Sequence, residues 1–457
     1  MSEKLFSEFQ PVSSKQWKQK IQFDLKGADY NETLVWKTNE DISIKPFYHL
    51  DDFDNLPEVS NTKATQWKIC QSIFVAHTEK SNLNAINAIE RGAETIQFII
   101  PSKDISIEDL LKNIYIDIIP IHFELQFPSD ELTKQLNNIS SKAGIYIHMD
   151  IINNLAKTGN FFNNLKDDFQ QFEQILKLTN SITVDTSLYQ NAGATIVQQL
   201  AYALAHANEY LNHSNNVIAI EAKQSLQITF KTSISTNYFF EIAKLRALRT
   251  LWSSLAAEYN VNTNCHITTT PTKRNKTIYD YNTNMLRTTT ECMSAILGGA
   301  NTISNSPYDG IYHKTNAFGE RIARNQLLIL KHESYFDKVD NPSDGAYYIE
   351  TLTNQLAEKA LDLFKDIETN GGFLKQLKDG TIQRKIKESA TKEQLQFDKG
   401  EDVLLGTNKH PNMNDKMKNE LEIYPFVKIN HRKTLIEPII EKRLAENIEQ
   451  KRLKNED

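Results

Sequence analysis

Short β-branched or aromatic runs alternate with longer amphipathic segments between about residues 90 and 335. This alternation indicates βα units arranged around a parallel sheet. The candidate strands are residues 95–100, 115–119, 121–127, 145–151, 181–185, 226–234, 265–270 and 301–305. Because there are eight candidate strands with helical segments between them, the pattern predicts an α/β fold, specifically a (β/α)8 TIM barrel.

One pair of candidate strands does not fit that plan easily. Only Pro120 separates residues 115–119 from residues 121–127, which leaves no room for a crossover helix. Either this corner of the barrel is irregular or one of the two runs is not a strand. The helices are clearer, since apolar side chains recur at helical spacing in residues 196–211 and 239–252.

Hydroxyl side chains are frequent on two candidate strands, in residues 229–236 and 266–270. The interior of a packed barrel normally holds bulky branched side chains. These hydroxyls therefore have two interpretations: they line a polar barrel lumen, or they face the surrounding helices and loops. The sequence alone leaves both open.

The segments on either side of the barrel pattern have a different character. Residues 1–85 carry turn residues and aromatics that indicate an extended N-terminal arm. We assign residues 86–350 to the barrel and residues 351–457 to a helical C-terminal extension.

Three features are predicted within this extension. An apolar stripe at helical spacing indicates a first helix that ends at Asn370-Gly371-Gly372. The charged residues 375–400 indicate a solvated linker or a helix pair. Residues 435–457 indicate an exposed amphipathic helix.

Composition and charge argue against several classes of function. The formal net charge is −6 and the pI is near 6.1, with Lys and Arg scattered along the chain, so nucleic acid is not an expected partner. The N-terminus lacks a signal-peptide pattern, and no run approaches the ~18 apolar residues of a membrane span. We therefore expect a soluble, cytoplasmic protein that does not enter membranes.

Cysteine and histidine spacing gives no sign of a metal site. Cys70, Cys265 and Cys292 form no CxxC pair, and we interpret them as buried small apolar side chains. The eleven histidines show no HxH, HxxxH or HExxH pattern. Composition and spacing thus indicate a barrel without a visible catalytic set.

Four segments resemble the substrate-barrel half of the methylmalonyl-CoA mutase family: residues 33–48, 239–252, 281–309 and 321–353. The resemblance implies a barrel whose axis admits the CoA arm of the substrate, followed by a separate cobalamin-binding domain with a D-x-H-x-x-G motif. A polar lumen fits such an axis. This sequence contains no D-x-H-x-x-G motif and ends at Asp457. We therefore expect no cobalamin-binding, flavodoxin-like domain and no cofactor bound by this chain.

Positions that carry chemistry in catalytic members of the family hold other residues here. In catalytic members, the loop after the fifth predicted strand reads G-Y-H-M-Q-E-A-G-A, and its His hydrogen-bonds the substrate thioester carbonyl. The matching residues here are 186–194, and Leu188 occupies the position of that His. The segment T-I-R-Q-Y-A-G-F of catalytic members corresponds to residues 68–75, where Cys70 replaces the Arg and Ser72 the active-site Tyr. Losing one such donor typically costs ~2.7–4 kcal/mol of transition-state stabilisation. We expect no catalytic, cofactor-binding or metal-binding residues, and interpret Cys70, Ser72 and Leu188 as vestigial positions.

This pattern resembles the small, or beta, subunit of the heterodimeric bacterial enzymes of the family. The resemblance implies a noncatalytic chain that stabilises a large, or alpha, subunit, which binds adenosylcobalamin and interconverts methylmalonyl-CoA and succinyl-CoA. The arm around Trp36 and Tyr48 is then expected to wrap the partner. Two alternatives stay open: an active acyl-CoA mutase barrel subunit that receives cobalamin from a separate protein, and an unrelated barrel enzyme.

Overall fold

The computed structural model describes residues 7–57, 59–60, 62–140, 144–214, 217, 220–428 and 431–456. Residues 1–6 of the predicted arm and Asp457 of the predicted extension lie outside these ranges. The strands of the described chain are β1 (Trp36–Lys37), β2 (Ser43–Ile44), β3 (Lys68–Phe74), β4 (Thr95–Ile100), β5 (Ile121–Leu125), β6 (Ile145–His148), β7 (Ser181–Asp185), β8 (Gln227–Ile234), β9 (His266–Pro271) and β10 (Thr302–Ser304).

The helices follow the strands in the expected alternation. They are α1 (Ser14–Asp24), α2 (Tyr30–Leu34), α3 (Thr78–Glu90), α4 (Ile107–Leu111), α5 (Asp130–Ser140), α6 (Ile151–Thr158), α7 (Leu165–Thr179), α8 (Ser187–Asn191), α9 (Ile196–Ser214), α10 (Ile220–Lys223), α11 (Tyr238–Glu258), α12 (Thr283–Leu297), α13 (Ala317–Leu328), α14 (Tyr347–Thr369), α15 (Phe373–Lys378), α16 (Thr381–Asp398) and α17 (Glu446–Lys454). Short 3-10 turns lie at Leu50–Asp52 and Ala64–Gln66, and a π-helix continues α13 over Ile329–Glu333.

Strands β3 to β10 form one parallel, eight-stranded sheet in which neighbours in the chain are neighbours in space. β10 pairs back onto β3, with Ile303 opposite Ile69. No backbone ladder joins β6 to β7 in the described chain, but a 2.8 Å hydrogen bond between His148 Nδ1 and Thr183 Oγ1 crosses that gap. The sheet therefore closes on itself inside a ring of helices, and the predicted (β/α)8 barrel is confirmed.

Two strand assignments made from the sequence need correction. Residues 115–119 form a turn, in which the backbone N of Ile119 donates to the carbonyl of Tyr115, and both Tyr115 and Ile118 are exposed. The eighth strand is instead β3, at Lys68–Phe74, whose interior side chains are too polar to stand out as a β-branched run. Because β3 belongs to the sheet and residue 86 lies within α3, the predicted boundary between arm and barrel is also wrong.

The C-terminal extension begins as predicted. α14 ends before Gly371 and Gly372, whose φ angles of 102° and 87° lie in the region that favours glycine. α15 and α16 then form a helix pair, which settles the interpretation of residues 375–400.

Beyond α16 the extension departs from the prediction. The described part of residues 399–445 contains no helix, and α17 begins only at Glu446. Pro438 cannot donate a helical hydrogen bond, and carbonyls of the barrel accept backbone N–H groups of this stretch instead: Ala156 in α6 accepts from Ile439, and Arg274 after β9 accepts from Leu444. The predicted exposed helix over 435–457 is therefore wrong for residues 435–445, and the predicted helical extension over 351–457 is interrupted between α16 and α17.

Apolar contacts between the outer face of the sheet and the helices form the main core. Phe230 of β8, for example, packs against Trp252 of α11 with 5.6 Å between ring centroids. All three cysteines are buried and free, as predicted. Among the helices of the described ranges, none is both long and apolar enough to cross a membrane.

Candidate functional site

Polar side chains from alternate strand positions occupy the barrel axis. Successive strand residues point to opposite faces of a sheet, and the interior face carries Ser72, Gln97, Glu124 and Lys231 on four different strands. Ser72 Oγ donates to Gln97 Oε1 at 2.9 Å, and Gln97 Nε2 donates to Glu124 Oε2 at 2.7 Å. Lys231 Nζ donates to that same carboxylate oxygen at 2.5 Å. The lumen is therefore polar. Of the strand hydroxyls, Thr229 and Thr268 share the face of Lys231 and His266, whereas Thr232 and Thr269 take the opposite face, so each interpretation holds for part of them.

Lys231 is held between two carboxylates at the carboxyl-terminal end of the lumen. Its Nζ lies 2.5 Å from Glu124 Oε2 and 3.1 Å from Asp185 Oδ2. Burial alone would lower the pKa of Lys231, but the charges of Asp185 and Glu124 outweigh burial and raise it. Burial likewise acts to raise the pKa of Asp185, while Lys231 and hydrogen bonds from Ser187 lower it overall. The cluster is thus a group of three charges in which one ammonium holds two carboxylates, with a net charge of −1.

Three histidines lie deeper in the same lumen. His122 Nδ1 and His148 Nε2 are 2.8 Å apart, and the rings stack with 5.1 Å between centroids. His266 Nε2 is 2.9 Å from Thr302 Oγ1. Burial lowers the pKa of His122 to about 3 and of His266 to about 4, and lowers that of His148 well below its ordinary value. All three imidazoles are therefore neutral near pH 7.

These side chains meet across the axis. β5 and β9 stand on opposite sides of the ring of strands, yet the rings of His122 and His266 are only 6.0 Å apart between centroids. Lys231 of β8 reaches Glu124 of β5 in the same way. At the mouth above them is a cavity of about 250 Å³ lined by Glu124, His148 and Lys231 among others. The lumen is filled by side chains rather than open from end to end.

The three vestigial positions lie in two places. Cys70 and Ser72 share the interior face of β3, where Ser72 Oγ also lies 3.0 Å from Ser304 Oγ. Burial raises the pKa of Cys70 to about 12, so its thiol is protonated. Leu188 lies on α8, just past the end of β7, and is buried in the main core. The structure thus brings Cys70 and Ser72 together and leaves Leu188 at the mouth of the barrel.

Residues 435–446, which we call the mouth strap, cross the carboxyl-terminal mouth of the barrel. The backbone N of Ile436 donates to the carbonyl of Gly159, after α6, at 3.1 Å. The backbone N of Lys442 donates to the carbonyl of Asn191, after β7, at 3.1 Å. The backbone N of Leu444 donates to the carbonyl of Arg274, after β9, at 2.9 Å. The mouth strap therefore ties three separate loops together.

The lumen histidines and charges are the residues that sequence spacing missed. His122 and His148 are 26 positions apart and His266 is farther along the chain, so no local motif joins them. Strand alternation was a usable signal: His122 lies two positions before Glu124 on β5, so both side chains point into the lumen, and His148 pairs with Glu124 on the adjacent strand β6. No group of three or more His, Cys, Asp or Glu in the described chain has the geometry to hold a metal ion.

Comparisons with known proteins agree on one family. The family model described as methylmalonyl-CoA mutase matches residues 107–454. The methylmalonyl-CoA mutase small subunit of Porphyromonas gingivalis is 33% identical over 444 residues, which cover 90% of this chain and 72% of that protein. The small subunit of Streptomyces virginiae is 25% identical, with the same two coverages of 90% and 72%.

Other similarities are more partial. Methylmalonyl-CoA mutase of Rhizobium meliloti is 36% identical over 252 residues, which cover 53% of this chain but only 35% of that protein. Among solved structures, dihydropteroate synthase from Thermus thermophilus aligns with 11% identity and a TM-score of 0.34. The alignment covers 60% of this chain and 98% of the synthase chain. A structural similarity at that level carries no argument about function.

Proposed function

This chain belongs to the methylmalonyl-CoA mutase family, and from that premise we propose that it is the noncatalytic small subunit of an adenosylcobalamin-dependent methylmalonyl-CoA mutase. Its similarity over 90% of its length to two proteins named small subunits supports the proposal. The partner would be a large, or alpha, subunit that interconverts methylmalonyl-CoA and succinyl-CoA. This chain would stabilise that subunit by binding only its folded state.

The filled lumen is the observation that carries the proposal. A thioester with its CoA arm along the axis would have to displace the contact between Lys231 and Glu124 and the packing of His122 against His266. Separating the ion pair would leave buried charges without partners, which typically costs 3–5 kcal/mol. A ligand would have to recover that free energy before any net binding appeared.

The vestigial positions support the same conclusion. Leu188 has no hydrogen-bonding group, and Cys70 is a protonated, buried thiol. Ser72 does have a hydroxyl, but that hydroxyl is engaged with Gln97 and Ser304. A preorganised donor aimed at the developing charge is usually worth ~2.7–4 kcal/mol in acyl chemistry, and none of these three side chains supplies one.

The mouth of the barrel does not fit a corrinoid. The mouth strap crosses it and is hydrogen-bonded to loops on three sides. We therefore place adenosylcobalamin in the partner subunit and derive no chemical step on this chain.

Reconstitution with the partner is the direct test. We expect this chain, purified alone and supplied with adenosylcobalamin and methylmalonyl-CoA, to give no succinyl-CoA and no saturable acyl-CoA binding by calorimetry. Co-expressed with the large subunit, it should copurify in a stable complex that turns over. Tight acyl-CoA binding by the chain alone, with turnover once a separate cobalamin-binding protein is added, would instead establish an active barrel subunit.

Part of the N-terminal arm packs on the chain's own barrel. The Glu40 carboxylate accepts hydrogen bonds from the backbone N of Ile196 and Val197, at 2.7 and 2.9 Å, at the start of α9. Tyr48 packs against Tyr348 of α14 with 5.2 Å between ring centroids. The segment around Trp36 and Tyr48 is therefore less available for wrapping a partner than the sequence suggested.

The earlier part of the arm is the better candidate for the partner contact. α1 has no buried residue. Trp17 and Phe23 on this helix are 49% and 78% exposed, and Val12 just before it is 54% exposed. Aromatic side chains that are exposed in the free protein contribute strongly to binding when they become buried at an interface.

Trp17→Ala with Phe23→Ala is expected to weaken binding of the large subunit at least tenfold, because two aromatic anchors are lost. The melting temperature of the chain alone should not change, since α1 covers none of its core. Leu83→Ala with Tyr115→Ala is the matched control, because these side chains are also exposed but lie on the barrel. Surface plasmon resonance measures the affinity of each variant for the large subunit. Equal affinities of the two variants would contradict this role of α1.

A further inference from the structure

A second, larger cavity lies at the carboxyl-terminal mouth, beside the mouth strap. Its volume is about 700 Å³, within the range of ~300–1,000 Å³ typical of small-molecule sites. Residues 439–443 and Glu446 line one side of it, residues 424–428 line another, and Leu188 and Pro307 also line it. It shares Lys157 with the smaller mouth cavity but none of the lumen residues Glu124, His148 and Lys231.

The interior surface of this cavity is mainly apolar. Leu188, Phe426 and Ile439 are buried side chains that line it, and Ile311 and Ile440 add further aliphatic surface. Such a surface favours a ligand with a hydrocarbon or aromatic body, because burying that body removes apolar area from water on both sides.

Among the described residues, seven cations line this cavity; Lys273 lies 3.5 Å from Glu441, and the other six fall into two groups. Arg274, Lys276 and Arg443 are buried, and each is paired with a carboxylate behind the wall: Glu393 at 2.6 Å, Glu291 at 2.8 Å and Glu449 at 2.7 Å. These pairs are internal and leave little charge for a ligand. Their role is to hold the walls together.

The second group stands at the rim. Lys157, Lys428 and Lys442 line the cavity with exposed side chains, and none has an ion-pair partner within the described ranges. The two carboxylates that line the cavity are both engaged. Glu441 accepts from Asn191 and lies 3.5 Å from Lys273 Nζ, and Glu446 accepts from backbone N–H groups. The rim therefore carries an excess of positive charge: three lysines without ion-pair partners in the described chain stand against the single carboxylate of Glu446, whose backbone hydrogen bonds leave its charge in place.

We propose that this cavity binds an amphipathic organic anion, with an apolar body against Leu188, Phe426 and Ile439 and a carboxylate at the rim lysines. An anion with a compact apolar chain makes apolar contacts with the interior and is attracted by the rim lysines. A neutral or cationic molecule of the same length makes only the apolar contacts. This binding is independent of the proposed mutase role, because the lining of the cavity includes none of the lumen residues Glu124, His148 and Lys231.

Calorimetric titration of the full chain with octanoate, octan-1-ol and octylamine tests the proposal. Octanoate is expected to bind with one site per chain, octan-1-ol at least tenfold more weakly, and octylamine not measurably. Octanoate affinity should fall as salt is raised, because exposed charges are screened. Binding of all three compounds with similar affinity, or of none, would overturn the proposal.

Exposed positions allow variants that do not disturb folding. Lys428→Gln with Lys442→Gln should weaken octanoate at least tenfold, and Ile440→Asp should weaken it further while allowing octylamine to bind. Lys15→Gln with Lys365→Gln and Leu83→Asp are the matched controls, since these residues are exposed elsewhere. Unchanged affinity in the rim variants, or an equal loss in the controls, would refute the assigned site. Mutase activity is not a readout in either case.

Discussion

Lys231→Met is expected to destabilise the chain by about 3–5 kcal/mol, the usual cost of breaking a buried ion pair by removing one partner. The variant leaves the carboxylates of Glu124 and Asp185 in the lumen without the ammonium that holds both, and the methionine has no donor to replace it. Urea unfolding at pH 7.5 followed by circular dichroism measures the change in the free energy of unfolding.

Two controls separate the lost charge balance from a change in packing. Lys231→Met combined with Glu124→Gln and Asp185→Asn removes all three charges together and should recover most of the lost stability. Lys273→Met breaks an exposed contact with Glu441 at 3.5 Å and should change stability by less than about 0.5 kcal/mol. If Lys231→Met were no less stable than wild type, the filled lumen would not resist a ligand, and the main support for a noncatalytic chain would be lost.

Much of the fold could be predicted because its signals are local. β8 alternates between the lumen and the helical layer, and α11 repeats apolar residues at helical spacing, so both follow from a short window of sequence. β3 could not be recognised in this way, since Cys70 and Ser72 occupy its interior positions. Residues 115–119 have the composition of a strand, but they precede Pro120 at a turn and pair with no strand of the described chain.

The functional site was less predictable because its contacts join distant segments. Comparison with the family pattern identifies the substitutions at Cys70, Ser72 and Leu188. That comparison shows which hydrogen-bond donors are missing, but not what fills the barrel axis. What fills the axis depends on His122 meeting His266, and on Lys231 reaching Glu124, across strands far apart in the chain. The mouth strap likewise has no sequence signature, because its backbone rather than its side chains makes most of the cross-links.

Acidification is expected to destabilise the chain through the lumen histidines. An unfolded chain protonates its imidazoles below pH 6.5, whereas the folded chain holds the pKa of His122 at about 3 and of His266 at about 4 because of burial. The unfolded state then binds more protons between pH 6.5 and those values, so stability falls as the pH falls through that window. Linkage gives a loss of about 2 kcal/mol per histidine between pH 7.5 and pH 5.

Comparing variants isolates this effect from the other groups that titrate over the same range. His266→Gln keeps a hydrogen-bonding group near Thr302 but cannot be protonated, so its stability loss between pH 7.5 and pH 5 should be about 2 kcal/mol smaller than that of wild type. His431→Gln is the control, because His431 is exposed. The ring of His122 lies 6.0 Å from that of His266, and the charge of Arg249 also acts on His266, so a protonated His266 would meet another cation. Identical pH dependence in His266→Gln and wild type would mean that His266 is already solvated in the folded chain, and the axis would then be open to water from its amino-terminal end.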